Sequence, residues 1–270
     1  MDSRQRESLS LRYARQWDES YLLKFESAQI SLLGDRSENQ DRVAIFSQDD
    51  CLLLVVVDGM GGHSQGARAA EVTLEVLERS FADAPRPIFD PQGFLTLTLA
   101  RAHDRVVELG DGLVLDEKPR ATCAVCLVQQ GGSYWAHIGD SRVYQIRDKR
   151  IVARTRDHSH VELLLRQGVI REEEMLSHPM RNFVECCLGG DAALPHMSVT
   201  NKQGLQSGDM LLACTDGLWS GLSEADISAS AGNLQIPTED ILRELAEVAV
   251  AKNSPHSDNT SAAALRWQDQ

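Results

Sequence analysis

Leu52-Leu53-Leu54-Val55-Val56-Val57 runs without a polar residue straight into Asp58-Gly59. A stretch this short and this rich in leucine and valine predicts a strand, and because both of its faces are apolar, both must be covered. A chain that contains it therefore has to build a layer of structure on each side of a sheet. The run is also far short of the roughly 20 apolar residues that cross a bilayer. It ends on a carboxylate, which places a charge at the mouth of a buried strand.

The surrounding pattern supplies the layers. Ala67, Ala70, Leu74, Leu77 and Phe81, and then Leu95, Leu99, Ala102, Val106 and Leu109, recur at the spacing of an apolar helical stripe. Two helices are expected, separated by Pro85, Pro87 and Pro91. Strands are expected over 28–33, 42–46, 122–129, 134–138, 142–147 and 151–155, with Asp148-Lys149-Arg150 as a turn. Such a meander implies antiparallel pairing. Residues 156–196 are rich in charge, His and Gly, with helical pieces at 161–167 and 171–176, and read as an insertion lying over the sheet. A further buried strand is expected at 210–214, a helix at 238–252 capped by Thr238, and a closing strand at 260–267. Residues 1–25 carry Leu11, Tyr13, Trp17 and Tyr21 at no regular spacing, so they read as a partly helical N-terminal extension, with a single catalytic domain over 26–270. The order suits packed antiparallel sheets with helices outside.

Charge and cysteine content narrow the function. A formal charge of −13 repels a phosphate backbone over most of the surface, which argues against nucleic-acid binding. No segment suits a membrane or a secretory signal, so a soluble cytoplasmic protein is expected. The six cysteines are then expected as thiols. Cys123 and Cys126 form a C-x-x-C, but strand alternation sends them to opposite faces, which argues against a chelating or redox pair.

The chemistry has to come from the points where apolar strands run into acids. Asp58-Gly59 follows one strand, Thr215-Asp216-Gly217 another, and Asp258-Asn259-Thr260 precedes the last. Any one of these reads as a turn, since Asp bonds its own backbone and Gly accepts positive φ. Three acids gathered at one end of a sheet would instead need a cation, and hard oxygen ligands suit Mg²⁺ or Mn²⁺. Arg36-Ser37-Glu38-Asn39-Gln40-Asp41 and Gly139-Asp140-Ser141-Arg142 add two loops that mix Asp with Arg.

In this order and spacing these segments, together with Val57-Asp58-Gly59-Met60-Gly61-Gly62-His63, Asp157-His158-Ser159, His178-Pro179 and Thr215-Asp216-Gly217-Leu218, resemble the bacterial type 2C serine/threonine protein phosphatases. The resemblance covers about residues 28–267. It implies an α+β fold, a four-layer α-β-β-α sandwich with two central antiparallel sheets and a flap insertion, and two or three Mn²⁺ or Mg²⁺ ions per chain. It implies attack on phosphoserine or phosphothreonine by a water bridging two of the ions. Asp58 matches the carboxylate that bridges both metals, the Gly59 carbonyl a ligand of one, Asp216 and Asp258 ligands of the other, and Asp41 an acid beside it. Asp140 matches a residue that shares a weaker third metal with Asp216, and Arg36 the arginine that grips the substrate phosphate.

Two positions depart from the wider family. Gln40 stands where many eukaryotic members have a Glu touching metal-bound water, a change that bacterial members often share. Met60 stands where they place a His proposed as the general acid. His63 and a water of the metal shell are the two candidates for that proton. His158 and His178 are expected to hold the insertion in place. No cysteine lies in a phosphate-cradling nucleophile loop, which argues against cysteine-phosphatase chemistry. The expected partners are phosphorylated proteins made by a serine/threonine kinase, and the expected state is a monomer. A phosphoprotein-binding pseudophosphatase would need broken metal ligands, whereas Asp58, Asp216 and Asp258 are present. A module dedicated to one partner or secretion apparatus, docked through residues 1–25, is the remaining alternative.

Overall fold

The computed structural model describes residues 24–60, 64–175 and 177–268; the expected N-terminal helix and His63 lie outside the described residues. In chain order the elements are β1 (Lys24–Leu32), β2 (Asp41–Gln48), β3 (Cys51–Met60), α1 (Ser64–Asp83), α2 (Pro91–Leu109), β4 (Arg120–Gln129), β5 (Gly132–Ile138), β6 (Arg142–Arg147) and β7 (Arg150–Arg154). The insertion follows, with α3 (His160–Arg166), α4 (Glu172–Met175) and β8 (Leu188–Gly189), and then come β9 (Ser198–Val199), β10 (Gln203–Gly204) and β11 (Met210–Cys214). The chain closes through α5 (Asp216–Trp219), α6 (Glu224–Ala231), α7 (Thr238–Asn253) and β12 (Thr260–Gln268).

Among the described residues the strands form two antiparallel sheets. One runs β1-β12-β11-β6-β7, the other β10-β5-β4-β3-β2 with β8 and β9 attached to β4 and β5. The apolar run in β3 explains the layering. Leu53, Val55 and Val57 pack with Leu77, Leu95, Leu99 and Val106 of the α1–α2 layer. Leu52, Leu54 and Val56 point the other way, into a core shared with Leu211, Ala213, Ala263 and Leu265 of the opposite sheet. A third core joins Tyr144, Leu212 and Ala264 to Ile227, Leu242 and Leu245 of α6 and α7. Helices, sheet, sheet and helices follow in that order, as expected. Cys123 and Cys126 fall in different cores, on opposite faces of β4.

Three details differ from expectation. Thr238 does not cap α7: Pro237 occupies that position, and the Thr238 hydroxyl and amide both donate to Glu26 Oε2 on β1. Pro91 opens α2 rather than separating the helices, with Asp90 accepting from Gly93 N–H, because a proline at the first helical position lacks only a donor that would go unused. The expected run of structure after β11 contains a short helix, α6, that no apolar stripe announced. Its signal is the Ser223–Asp226 capping box, in which each side chain bonds the other's backbone N–H.

Register brings the acid-bearing loops to one end. Asp41 of β2 lies directly opposite Asp58 of β3, which lies opposite Thr122 of β4. In the other sheet Cys214 pairs with both Arg142 and Ala262, so Asp216, Asp140 and Asp258 leave their strands at the same edge.

Candidate metal and phosphate site

The two sheets are tied together at this end by short polar contacts. Thr215 Oγ1 donates to Asp41 Oδ2 at 2.8 Å, joining β11 to β2. Asn259 Oδ1 accepts from Gln40 N–H at 2.8 Å, while its amide nitrogen donates to the carbonyls of Leu33 and Glu38. The Arg36–Asp41 loop is thereby fastened to the start of β12. Two glycines permit the close approach: a Cβ on Gly59 would run into the carbonyl of Gly66 in α1, and one on Gly217 into the carbonyl of Asn259. The Asp-Gly pairs are thus places where backbones touch as well as turns.

Asp41, Asp58, Asp140 and Asp216 come together here, and Asp258 lies beside them at the rim. Burial, and then the charges of Asp41, Asp216, Asp140 and Asp258, push the Asp58 carboxyl well above the ordinary carboxylate range. Burial, reinforced by Asp216 and Asp157, does the same to Asp140. Burial lifts Asp41 to about 7, with Asp216 and Asp258 adding to it against the opposing bonds from Ser261 and Thr215. Asp216 is lifted to about 6 by burial and Asp258. Carboxylates arranged so that each disfavours the charge of the next suit an added cation, and oxygen donors suit a hard one. Among the described residues no three His, Cys, Asp or Glu side chains are already gathered tightly enough to hold a metal. Asp258 is engaged on both oxygens: its Oδ2 accepts from Arg36 at 2.6 Å, and its Oδ1 from Asn259 N–H at 2.8 Å.

Arg36 stands at the rim, its side chain 57% exposed, with the charges of Asp258, Asp216 and Asp58 all favouring its protonated form. Gln40 Nε2 donates to Glu38 Oε2. The His158 ring meets Ser198 Oγ on β9, just after residues 156–196, and Gly139 N–H, ahead of them. The His178 ring accepts from Met180 N–H, two residues on.

Several residues that position the site were not singled out by sequence. Trp219 Nε1 donates to the Asp140 carbonyl at 2.9 Å, and its ring lies 3.6 Å from the Arg142 guanidinium. Arg142 in turn makes two bonds, of 2.8 and 2.7 Å, to buried Asp157. Asp157 and Arg142 both sit in motifs noted above, but nothing in one sequence pairs residues fifteen apart.

The protein phosphatase 2C family model matches residues 31–257. The protein phosphatase PhpP of Streptococcus pneumoniae is 30% identical over 255 residues, covering 90% of this chain and 98% of its own length. The serine/threonine phosphatase of S. agalactiae superposes with a TM-score of 0.82 at 27% identity, over 91% of this chain and 100% of that one. The catalytic domain of the phosphatase PstP, solved in complex with two manganese ions, gives a TM-score of 0.74 at 25% identity over 91% and 99% of the two chains.

Proposed function

Because the chain belongs to the protein phosphatase 2C family, we propose that it hydrolyses phosphoserine and phosphothreonine in proteins with Mn²⁺ or Mg²⁺ held by Asp58, the Gly59 carbonyl, Asp216 and Asp258. Asp41 lies beside these ligands, and Asp140 joins Asp216 around a further, weaker cation. The observation that carries the reading is the gathering of buried carboxylates from both sheets at one end, each raising the pKa of the next. Cations bound there supply a water acidic enough to be hydroxide near neutral pH, and a positive field for the phosphoryl oxygens.

The chain's own residues do the rest. Arg36 presents a planar fork at the open rim, suited to two parallel bonds with phosphate oxygens. Its bond to Asp258 holds the side chain over the site. Thr215 and Asn259 keep Asp41 and the Arg36 loop in register with the acids of the other sheet. The departing serine or threonine oxygen needs a proton, and Met60 has none to give; His63, three residues further along the sequence, and a water of the metal shell are the two candidates. The substrates are phosphoproteins made by a serine/threonine kinase, and the protein acts as a monomer in the cytoplasm. Among the described residues no helix is long and apolar enough to cross a membrane.

The test is direct. Chelator-treated protein should not turn over phosphoserine or phosphothreonine peptides, and Mn²⁺ or Mg²⁺ should restore it; full turnover in excess EDTA would overturn the reading.

A further inference from the structure

The Gly139–Arg142 loop that carries Asp140 is held at every residue. Ser141 Oγ meets Thr122 Oγ1 at 2.7 Å on β4, and Trp219 holds the Asp140 carbonyl. Arg142 is bonded twice by Asp157. Among the described residues Gly139 is held by His158 from two directions: His158 N–H donates to the Gly139 carbonyl at 2.8 Å, and Gly139 N–H donates to His158 Nδ1 at 3.3 Å. Gly139 has φ +98°, and a Cβ there would collide with the Thr122 side chain, so the loop can neither substitute this residue nor shift it towards β4.

The second ring nitrogen of His158 faces elsewhere. Nε2 meets Ser198 Oγ at 2.9 Å, and Ser198 belongs to β9, which pairs with β5 where the insertion returns to the sheet. His158 therefore touches the metal-binding loop with one nitrogen and the end of the insertion with the other, while standing at the insertion's start. Its ring is stacked on His137 at 4.5 Å, and His137 is itself fixed by the Arg156 carbonyl at 2.7 Å. Burial, followed by the neighbouring imidazoles His137 and His196, holds His158 down at about 4. It is thus neutral at physiological pH, with Nδ1 free to accept and Nε2–H to donate.

We propose that His158 is a positioning residue that fixes Asp140 through Gly139 and couples the weakly held cation to the seating of the insertion through Ser198. This rests on the reading of Asp140 as a ligand of that cation. Groups that orient a metal ligand typically change affinity about 10–100-fold when lost. His158 acts through the backbone next to the ligand, so the lower end of that range applies.

The experiment is calorimetric titration with Mn²⁺ alone, combined with amide hydrogen exchange, on the wild-type protein and the variants Asp140→Ala, His158→Ala and His158→Asn. Asn places its Oδ1 where Nδ1 stands but does not reach Ser198. Asp140→Ala should lose the weak Mn²⁺ phase and keep the tight one. His158→Ala should weaken the weak phase about tenfold, and His158→Asn should restore it to within about threefold of wild type. In the wild type, Mn²⁺ filling the weak phase should slow exchange at Ser198 and Val199; in both His158 variants that response should vanish. A weak phase unaltered in His158→Ala, or equal losses in the Ala and Asn variants, or an unaltered Mn²⁺ response at Ser198, would overturn the inference while leaving Asp140 in place. A weak phase that survives Asp140→Ala would overturn the Asp140 assignment and the inference with it.

Discussion

Asp41→Asn should stabilise the metal-free protein by a margin that grows as pH rises from about 4 to about 7. Asp41 is 3% exposed, lies opposite Asp58 in the sheet and is lifted from 3.8 to about 7. An acid with a raised folded pKa binds more protons folded than unfolded between those two values. Stability therefore falls as pH rises through that window and stays low above it. At about 1.4 kcal/mol per pH unit, the charged carboxylate is up to about 4 kcal/mol costlier in the fold than in the unfolded chain. The amide removes that cost, keeps an oxygen to accept from Thr215 Oγ1 and offers a donor towards Asp58, so about 2–4 kcal/mol should be recovered at pH 7.5. For a domain of this size that is roughly 4–16 °C in Tm. The assay is thermal melting in EDTA at pH 5.0 and 7.5. Comparing the two proteins at each pH cancels the repulsion from the rest of a surface whose net charge is −13. Wild type should lose stability between the two pH values much more than the variant, and Mn²⁺ should close the gap at pH 7.5. Equal melting temperatures for both proteins at pH 7.5 in EDTA would refute the electrostatic account of the site.

Asp58→Ala and Asp216→Ala should each abolish turnover of phosphopeptides while the far-UV spectrum stays native, because losing one acid from a crowded buried set relieves repulsion when no cation is present. Arg36→Ala should raise KM more than it lowers kcat, as steady-state kinetics on a phosphothreonine peptide would show; an unchanged KM with a large fall in kcat would move Arg36 into the transition state alone. If His63 gives the leaving oxygen its proton, His63→Gln should slow phosphoserine peptides about 10²–10⁴-fold and barely affect p-nitrophenyl phosphate. If a shell water is the donor, neither substrate should change much. Asp157→Ala should cost about 3–5 kcal/mol in urea unfolding, since it strands the buried Arg142 guanidinium without its partner.

The apolar run of β3 and its Asp58-Gly59 end were legible in sequence because they depend only on local period and on a backbone preference. The same holds for the helical stripes of α1 and α2 and for the order of the five acid-bearing loops, from which the resemblance to type 2C phosphatases follows. Local pattern could not reveal what depends on residues far apart in the chain. Thr238 has the composition of a helix cap, yet Glu26, 212 residues away, takes its hydroxyl. The α6 helix is marked by a capping box rather than a stripe, because only Ile227, Ser228 and Ala231 of its residues are buried. The convergence of Asp41 with Asp216, the capture of Asp258 by Arg36, the seat of Trp219 on Arg142 and the grip of His158 on Gly139 are all products of sheet register and layer packing. Sequence supplied the acids and the strands that end on them. Which acids face one another, how far burial raises their pKa, and which side chains hold their loops were decided by tertiary structure, because desolvation and like-charge repulsion exist only once the two sheets have closed over the same edge.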